Sequence, residues 1–250
     1  GRGTVETARR GSTALVTVPM AADDTAIIER LREQLPDDVL VTGETAAKLD
    51  FAERLKTATP LVIAFVLALA LVLLLASFRS LPLALSVIGL NLLSVGAAYG
   101  VLTAIFQNTW AENLLGFTSH GAIVDWVPLN TFVILFGLSM DYTILVLERI
   151  REARRHGRSP RAAAAEGVSA TAGAITSAAV VMVAIFAIFP TLPLIEMKMM
   201  GVGLAIGVLV DATLVRGIAL PAAVTLLGER GIKARRARAD ALRDVAGRVE

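Results

Sequence analysis

The sequence contains no cysteine and only two histidines. That excludes a disulfide-stapled fold and leaves too few soft ligands for a zinc or iron–sulfur centre. Charge is scarce as well: Asp, Glu, Lys and Arg make up 18% of 250 residues, with a net charge of +2. So small an excess gives no electrostatic footprint for nucleic acid. Aromatic residues amount to 5%. The chain is filled instead by aliphatic residues: hydrophobic types reach 55%, and the mean hydropathy is +0.68. Neither an ordinary soluble domain nor a disordered segment has that balance. The composition is that of an integral membrane protein. The chain starts at Gly1 with no initiator Met and no signal-peptide pattern, which reads as a piece of a longer protein.

Crossing the hydrocarbon core takes about 20 largely apolar residues in a helix. Five stretches qualify, at 60–78, 82–106, 127–148, 169–189 and 200–227. The expected fold is therefore an all-α polytopic membrane protein of five transmembrane helices. Orientation follows from where Lys and Arg fall in the short connections. Arg149, Arg151, Arg154, Arg155, Arg158 and Arg161 lie after the third span, and Arg79 lies between the first two. The segment from Gln107 to Trp126 has no basic residue, and the Pro190–Lys198 connection has one. Alternating five helices puts every strongly basic connection on one side, so those loops and the basic tail at 229–250 are expected to be cytoplasmic. Residues 1–59 are then outside.

The outer segment reads as a small α+β piece. Ser12–Val18 has the pattern of a strand. Ile27, Ile28, Leu31 and Leu35 form a helical face, and Val39–Thr42 resembles a second strand ending at Gly43. Such a unit cannot bury much core by itself, so it is expected to be the tail end of a larger exterior domain. Glu44 to Thr59 reads as an amphipathic helix leading into the first span.

Within the spans, Asp141, Asp211 and Arg216 stand out, because a charged residue near a helix centre costs roughly 2.5 to 3.5 kcal/mol. Asp141 lies about 21 Å below the outer end of its span, some two thirds of the way across a core of about 30 Å. It is expected to face protein or water and to have a partner. Tyr142 beside it adds a hydroxyl able to relay a proton. Asp211 and Arg216, five residues apart, fall about 140° round an α-helix, so each is expected to find its partner on another span. Depth counting brings Thr176, Ser177 and Asn91 into the same slab. The bland alternative is a static pairing of Arg216 with either aspartate, or a snorkelling Arg216. Gly96–Gly100 and Gly203–Gly207 have the GxxxG spacing of close helix packing.

The stretch WVPLNTFVILFGLSMDYTILVLERIR from Trp126 resembles the second-half Asp-Tyr span of MMPL transporters, a branch of the resistance–nodulation–division superfamily. Blocks beginning at Phe78, Gly157 and Gly203 follow in the same order, the last containing VDATLVR. The resemblance covers nearly all of residues 40–228. It implies an RND-type half bundle, the last five of twelve helices, with the end of the second exterior porter domain before it. It implies export of lipids or other hydrophobic molecules driven by the proton-motive force across a bacterial plasma (inner) membrane. Asp141 and Tyr142 map onto the second proton-relay pair, with Asp211, Arg216, Thr176, Ser177 and Asn91 as supporting groups. The coupling ion is the proton, and no cofactor or metal is implied. The implied partners are the membrane, a hydrophobic substrate and the absent N-terminal half. A homo-oligomer stays open, as do a non-exporting relative (a sterol-sensing-type regulator or a translocation helper) and, remotely, an intramembrane aspartyl protease using Asp141 and Asp211.

Overall fold

The computed structural model describes residues 6–10, 13–17, 25–36, 38–119 and 121–228. The basic tail at 229–250 lies outside the described residues. The chain divides into two compact units, with the boundary between Ala58 and Thr59.

The first unit opens with two strands, β1 (Glu6–Arg10) and β2 (Thr13–Thr17), paired antiparallel with Glu6 opposite Thr17 and Arg10 opposite Thr13. The expected strand at Ser12–Val18 corresponds to β2; its partner β1 was not foreseen. Helix α1 (Thr25–Gln34) carries the expected apolar face and buries Ile28. Residues 39–42 are not a strand. Leu40 is 88% exposed and the segment has no ladder partner among the described residues, so its apolar pattern has no sheet to complete. Arg32 closes this part of the unit instead. Its guanidinium makes a forked contact with Asp50, at 2.5 and 3.0 Å, and reaches the Val41 carbonyl. The paired carboxylate raises the Arg32 pKa from its ordinary value.

The second unit is a helical bundle. Helix α2 (Glu44–Phe78) begins within the first unit, and its apolar span, from Thr59 through Pro60, belongs to the second. It is followed by α3 (Leu81–Phe106), the one-turn α4 (Glu112–Leu115), α5 (Trp126–Arg155) and α6 (Pro160–Ile188). A 3₁₀ turn at Phe189–Thr191 leads to α7 (Ile195–Val210), which passes into a π-helical stretch, Asp211–Ala219, and is α-helical again over 220–228. Five of these helices are long and apolar enough to cross a membrane. The arginine-rich connection expected at about 148–169 is mostly helix, because α5 and α6 extend past the apolar stretches and leave four residues between them. Ser159 caps α6 by accepting from the Ala162 amide, and Pro160 follows where its missing N–H costs nothing.

Side chains clasp the bundle at both ends. Arg151 of α5 donates to the Ser77 carbonyl in the last turn of α2, at 2.7 Å, so the Arg79 turn and the arginine-rich turn share one end. At the other end Lys198 is 6% exposed and donates to the carbonyls of Leu115 and Pro190. Lys198, counted with the Pro190–Lys198 connection in the sequence, is therefore a cap for two chain reversals inside α7's first turn.

Helix contacts are tightest at glycine. A Cβ on Gly167 would lie 2.4 Å from Ile150 Cγ1 and 2.9 Å from the Ile150 backbone nitrogen, so α5 and α6 touch backbone to backbone there. Gly203 and Gly207 face Leu102 and Leu135, as their spacing suggests, whereas Gly96 and Gly100 meet nothing within 4 Å. Gly167→Ala is expected to destabilise the full-length protein by about 1–3 kcal/mol through overpacking, with Gly100→Ala neutral. Thermal melts of the detergent-solubilised pair check this, and equal midpoints would refute it.

Candidate functional site

The buried face of α5 follows helical spacing through Leu135, Ser139, Thr143, Val146 and Ile150. Asp141 is two residues past Ser139, about 200° round the helix, and this puts it on the opposite stripe with exposed Val133, Gly137 and Glu148. The partner that the sequence reading expected for Asp141 does not come from the described residues. Its carboxylate is exposed on the outer surface of the five helices and has no hydrogen-bond or ion-pair partner among the described residues. Tyr142 stands between the two stripes, half-buried.

Asp211 and Arg216 are buried within the spans, each 5% exposed, and they pair with each other. The sequence argument put them on different faces because it assumed α-helical winding. From Asp211 to Ala219 the helix is π-wound, and the Leu220 amide donates to the carbonyl of Val215, five residues back. In i→i+5 winding a residue lies over the one five before it, so the guanidinium comes down on the carboxylate. Arg216 also donates to the Ser139 carbonyl at 3.2 Å. Its guanidinium carbon lies 4.8 Å from the centroid of the Tyr142 ring, a cation–π contact.

The two carboxylate oxygens of Asp211 have separate surroundings. Oδ2 belongs to Arg216. Oδ1 is reached by the hydroxyls of Ser139, at 2.7 Å, and Ser94, at 3.3 Å. Ser139 Oγ is also 2.7 Å from Asn91 Oδ1. A cavity of ≈ 10 Å³, room for about one water, lies among Ser94, Ser139, Tyr142, Asp211 and Arg216. Arg216 Nε and Asn91 Nδ2 are buried without a partner among the described residues.

Of the sequence-derived candidates, Asn91, Tyr142, Asp211 and Arg216 come together from α3, α5 and the π-wound part of the last helix. Thr176 and Ser177 do not. The buried stripe of α6 runs through Thr171, Ile175 and Ala179, and the next two residues after Ile175 turn outward. Ser177 donates back to the Ala174 carbonyl. Depth counting carried no angular information, so it could not say that these two side chains turn away from the site. Ser94 and Ser139 were missed. Ser94 sits one helical turn from Asn91 on one face of α3, a signal that was present in the sequence. Among the described residues no cluster of His, Asp and Glu could hold a metal ion.

An ion pair this dry is costly to leave half-made. Arg216→Met strands the Asp211 carboxylate and is expected to destabilise the fold by about 3–5 kcal/mol, whereas Asp211→Asn combined with Arg216→Met should recover much of that loss. Unfolding of the single and double variants measures the coupling, and additive effects would contradict it.

The family model for the MMPL family matches residues 16–247. The chain is 39% identical over 208 residues to the mycolic acid-containing lipids exporter MmpL11 of Mycolicibacterium smegmatis, covering 81% of this chain and 22% of that protein. It is 41% identical over 212 residues to the heme uptake protein MmpL11 of Mycobacterium tuberculosis H37Rv, covering 83% of this chain and 22% of that protein. Identity to the trehalose monomycolate exporter MmpL3 of M. tuberculosis CDC 1551 is 33% over 191 residues, 76% of this chain and 20% of that protein. The chain therefore spans about a fifth of the length of these relatives. With five helices long and apolar enough to cross a membrane and a family match over nearly its whole length, the chain belongs to the MMPL family.

Proposed function

We propose that the full-length protein is a proton-driven exporter of lipids or other hydrophobic molecules, in which this segment carries the second Asp-Tyr relay pair. The observation that carries the reading is the contact of Tyr142 with Arg216, which is ion-paired to Asp211. The family's Asp-Tyr motif is thereby one contact away from a buried charge pair. Charged groups at that depth are expensive and are kept where they do work.

In this reading Asp141 belongs to an interface. Its stripe on α5 is presented outside the five helices, and the relatives are about five times longer than the matched region. The rest of the protein supplies the surface that Asp141 meets, including the first Asp-Tyr pair. Neutralising Asp141 removes a charge from that interface, the helices repack, and access to the substrate alternates. One proton crossing 100 mV releases about 2.3 kcal/mol, so a cycle that exports a lipid uphill draws on several protons or on a pH gradient as well. The arginine-rich end faces the cytoplasm of a bacterial cell and the first unit lies outside. Relatives named as exporters and transport proteins favour transport over catalysis. A protease dyad is disfavoured, because Asp211 is engaged by Arg216 and two serines while Asp141 turns the other way.

Asp141→Asn in the full-length protein, reconstituted in vesicles with a radiolabelled lipid, is expected to abolish pH-gradient-driven export with folding intact. Export at the wild-type rate with wild-type proton dependence would remove Asp141 from the mechanism. Absence of lipid movement by the wild type would favour the non-exporting alternative. Tyr142→Phe keeps the ring over Arg216 and loses only the hydroxyl, so it is expected to slow export by roughly tenfold while leaving the thermal midpoint unchanged. A lowered midpoint with unaltered export would mean that the hydroxyl serves packing alone.

A further inference from the structure

Two residues, Arg79 and Ser80, join α2 to α3, and Arg79 takes the left-handed conformation, with φ 51°. Among the described residues it is the one non-glycine to do so; Gly43, Gly116, Gly121 and Gly157 fill the other positive-φ positions. Glycine ends a helix this way at no steric cost, and an arginine does not. The Arg79 amide closes the turn on the Leu75 carbonyl at 2.9 Å, a bond that any residue could make. The backbone thus asks for glycine, and the position holds a cation instead. Its side chain is exposed and has no hydrogen-bond or ion-pair partner among the described residues.

Arg151 reaches the same turn from α5. Its Nη1 donates to the Ser77 carbonyl, two residues before Arg79, which fixes the guanidinium there and leaves its other nitrogens without a partner among the described residues. Arg155 lies one turn further along the same face of α5, exposed and likewise unpaired. The neighbouring arginines are engaged elsewhere: Arg149 by Glu152 at 2.8 Å, Arg158 by Glu166 at 3.1 Å, and Arg154 by the Arg158 carbonyl. Glu148, one turn before Arg151, is the nearby carboxylate, and one anion against three cations leaves the corner positive. On the span side of these cations the helices expose aliphatic side chains, Val72 and Leu73 on α2 and Leu81 and Leu85 on α3.

A guanidinium fork matches two oxygens of a phosphate, and cations beside an apolar face suit a molecule with a charged head and hydrocarbon tails. We propose that this corner is a binding site for an anionic phospholipid. Arg79 and Arg151 hold the phosphodiester, Arg155 adds charge, and the acyl chains lie along the exposed faces of α2 and α3. The bound headgroup fastens the end of α2 to α5, reinforcing the Arg151–Ser77 bond. The site concerns the membrane around the protein and is independent of the cargo and the coupling ion proposed above.

The full-length protein in neutral detergent is titrated with phosphatidylglycerol, with phosphatidylcholine of the same chains, or with inorganic phosphate. The rise in thermal midpoint reports the affinity. Phosphatidylglycerol is expected to raise the midpoint saturably, while the other two at matched concentration leave it in place. Arg79→Gly is expected to raise the lipid-free midpoint, because glycine suits the turn, and to weaken phosphatidylglycerol binding about fivefold. Those opposite effects separate a lipid ligand from a residue that merely holds the turn. Arg151→Lys keeps the charge and loses the fork, so it is expected to weaken binding too, and it serves if Arg79→Gly folds poorly. Arg149→Ala removes the same charge about 200° round α5 from Arg151 and is expected to leave the affinity unchanged. Equal stabilisation by phosphatidylcholine or by phosphate would overturn the proposal. So would an unaltered phosphatidylglycerol affinity in Arg79→Gly or Arg151→Lys, or an equal loss in Arg149→Ala.

Discussion

The organising constraint in the membrane-spanning unit is the ion pair between Arg216 and Asp211. Two opposite charges buried among aliphatic side chains cannot be left with partial satisfaction, so their neighbourhood is built around them. Ser139 and Ser94 supply hydroxyls to one carboxylate oxygen, a backbone carbonyl of α5 takes a guanidinium proton, and the Tyr142 ring covers the cation. Three helices are fixed in register by that set. The apolar packing in the two turns before it on the last helix, Leu102 against Gly203 and Leu135 against Gly207, is consistent with the same register.

The architecture was legible in the sequence to the extent that lipid makes it so. Hydrocarbon admits helices of a set length, and five apolar stretches of that length could hardly be read otherwise. The α5–α6 connection was misjudged because a helix does not stop where hydrophobicity stops; Ser159 and Pro160 mark the true start of α6. In the first unit, 39–42 had a strand's pattern without a sheet to join. β1, with arginines at its end, had the weaker pattern and pairs nonetheless.

The site was half legible. Which residues would be expensive in lipid could be read directly, and Asn91, Tyr142, Asp211 and Arg216 do converge. Direction round the axis could not be read without knowing the winding. Asp141 and Ser139 are two residues apart and face opposite ways, and Ser177 turns outward for the same reason. The mutual pairing of Asp211 with Arg216 depends on a departure from α-winding that no composition rule announces. Lys198 was counted with the Pro190–Lys198 connection and is a buried clamp on two carbonyls.

The π-wound stretch has an effect beyond the pair it brings together. An ordinary α-helix would also align the two charges if they were four residues apart, so the additional residue is not required for their attraction. What it changes is the phase of everything after it. Each residue inserted into a helix turns the remainder by about 100°, and here that rotation is applied to the stretch from Leu220 to Gly228 alone. Leu220 is buried and Gly228 sits against Pro160 at the start of α6 in consequence. A variant shortened by one residue between the charges would retain their embrace and swing the end of the helix away from its neighbour.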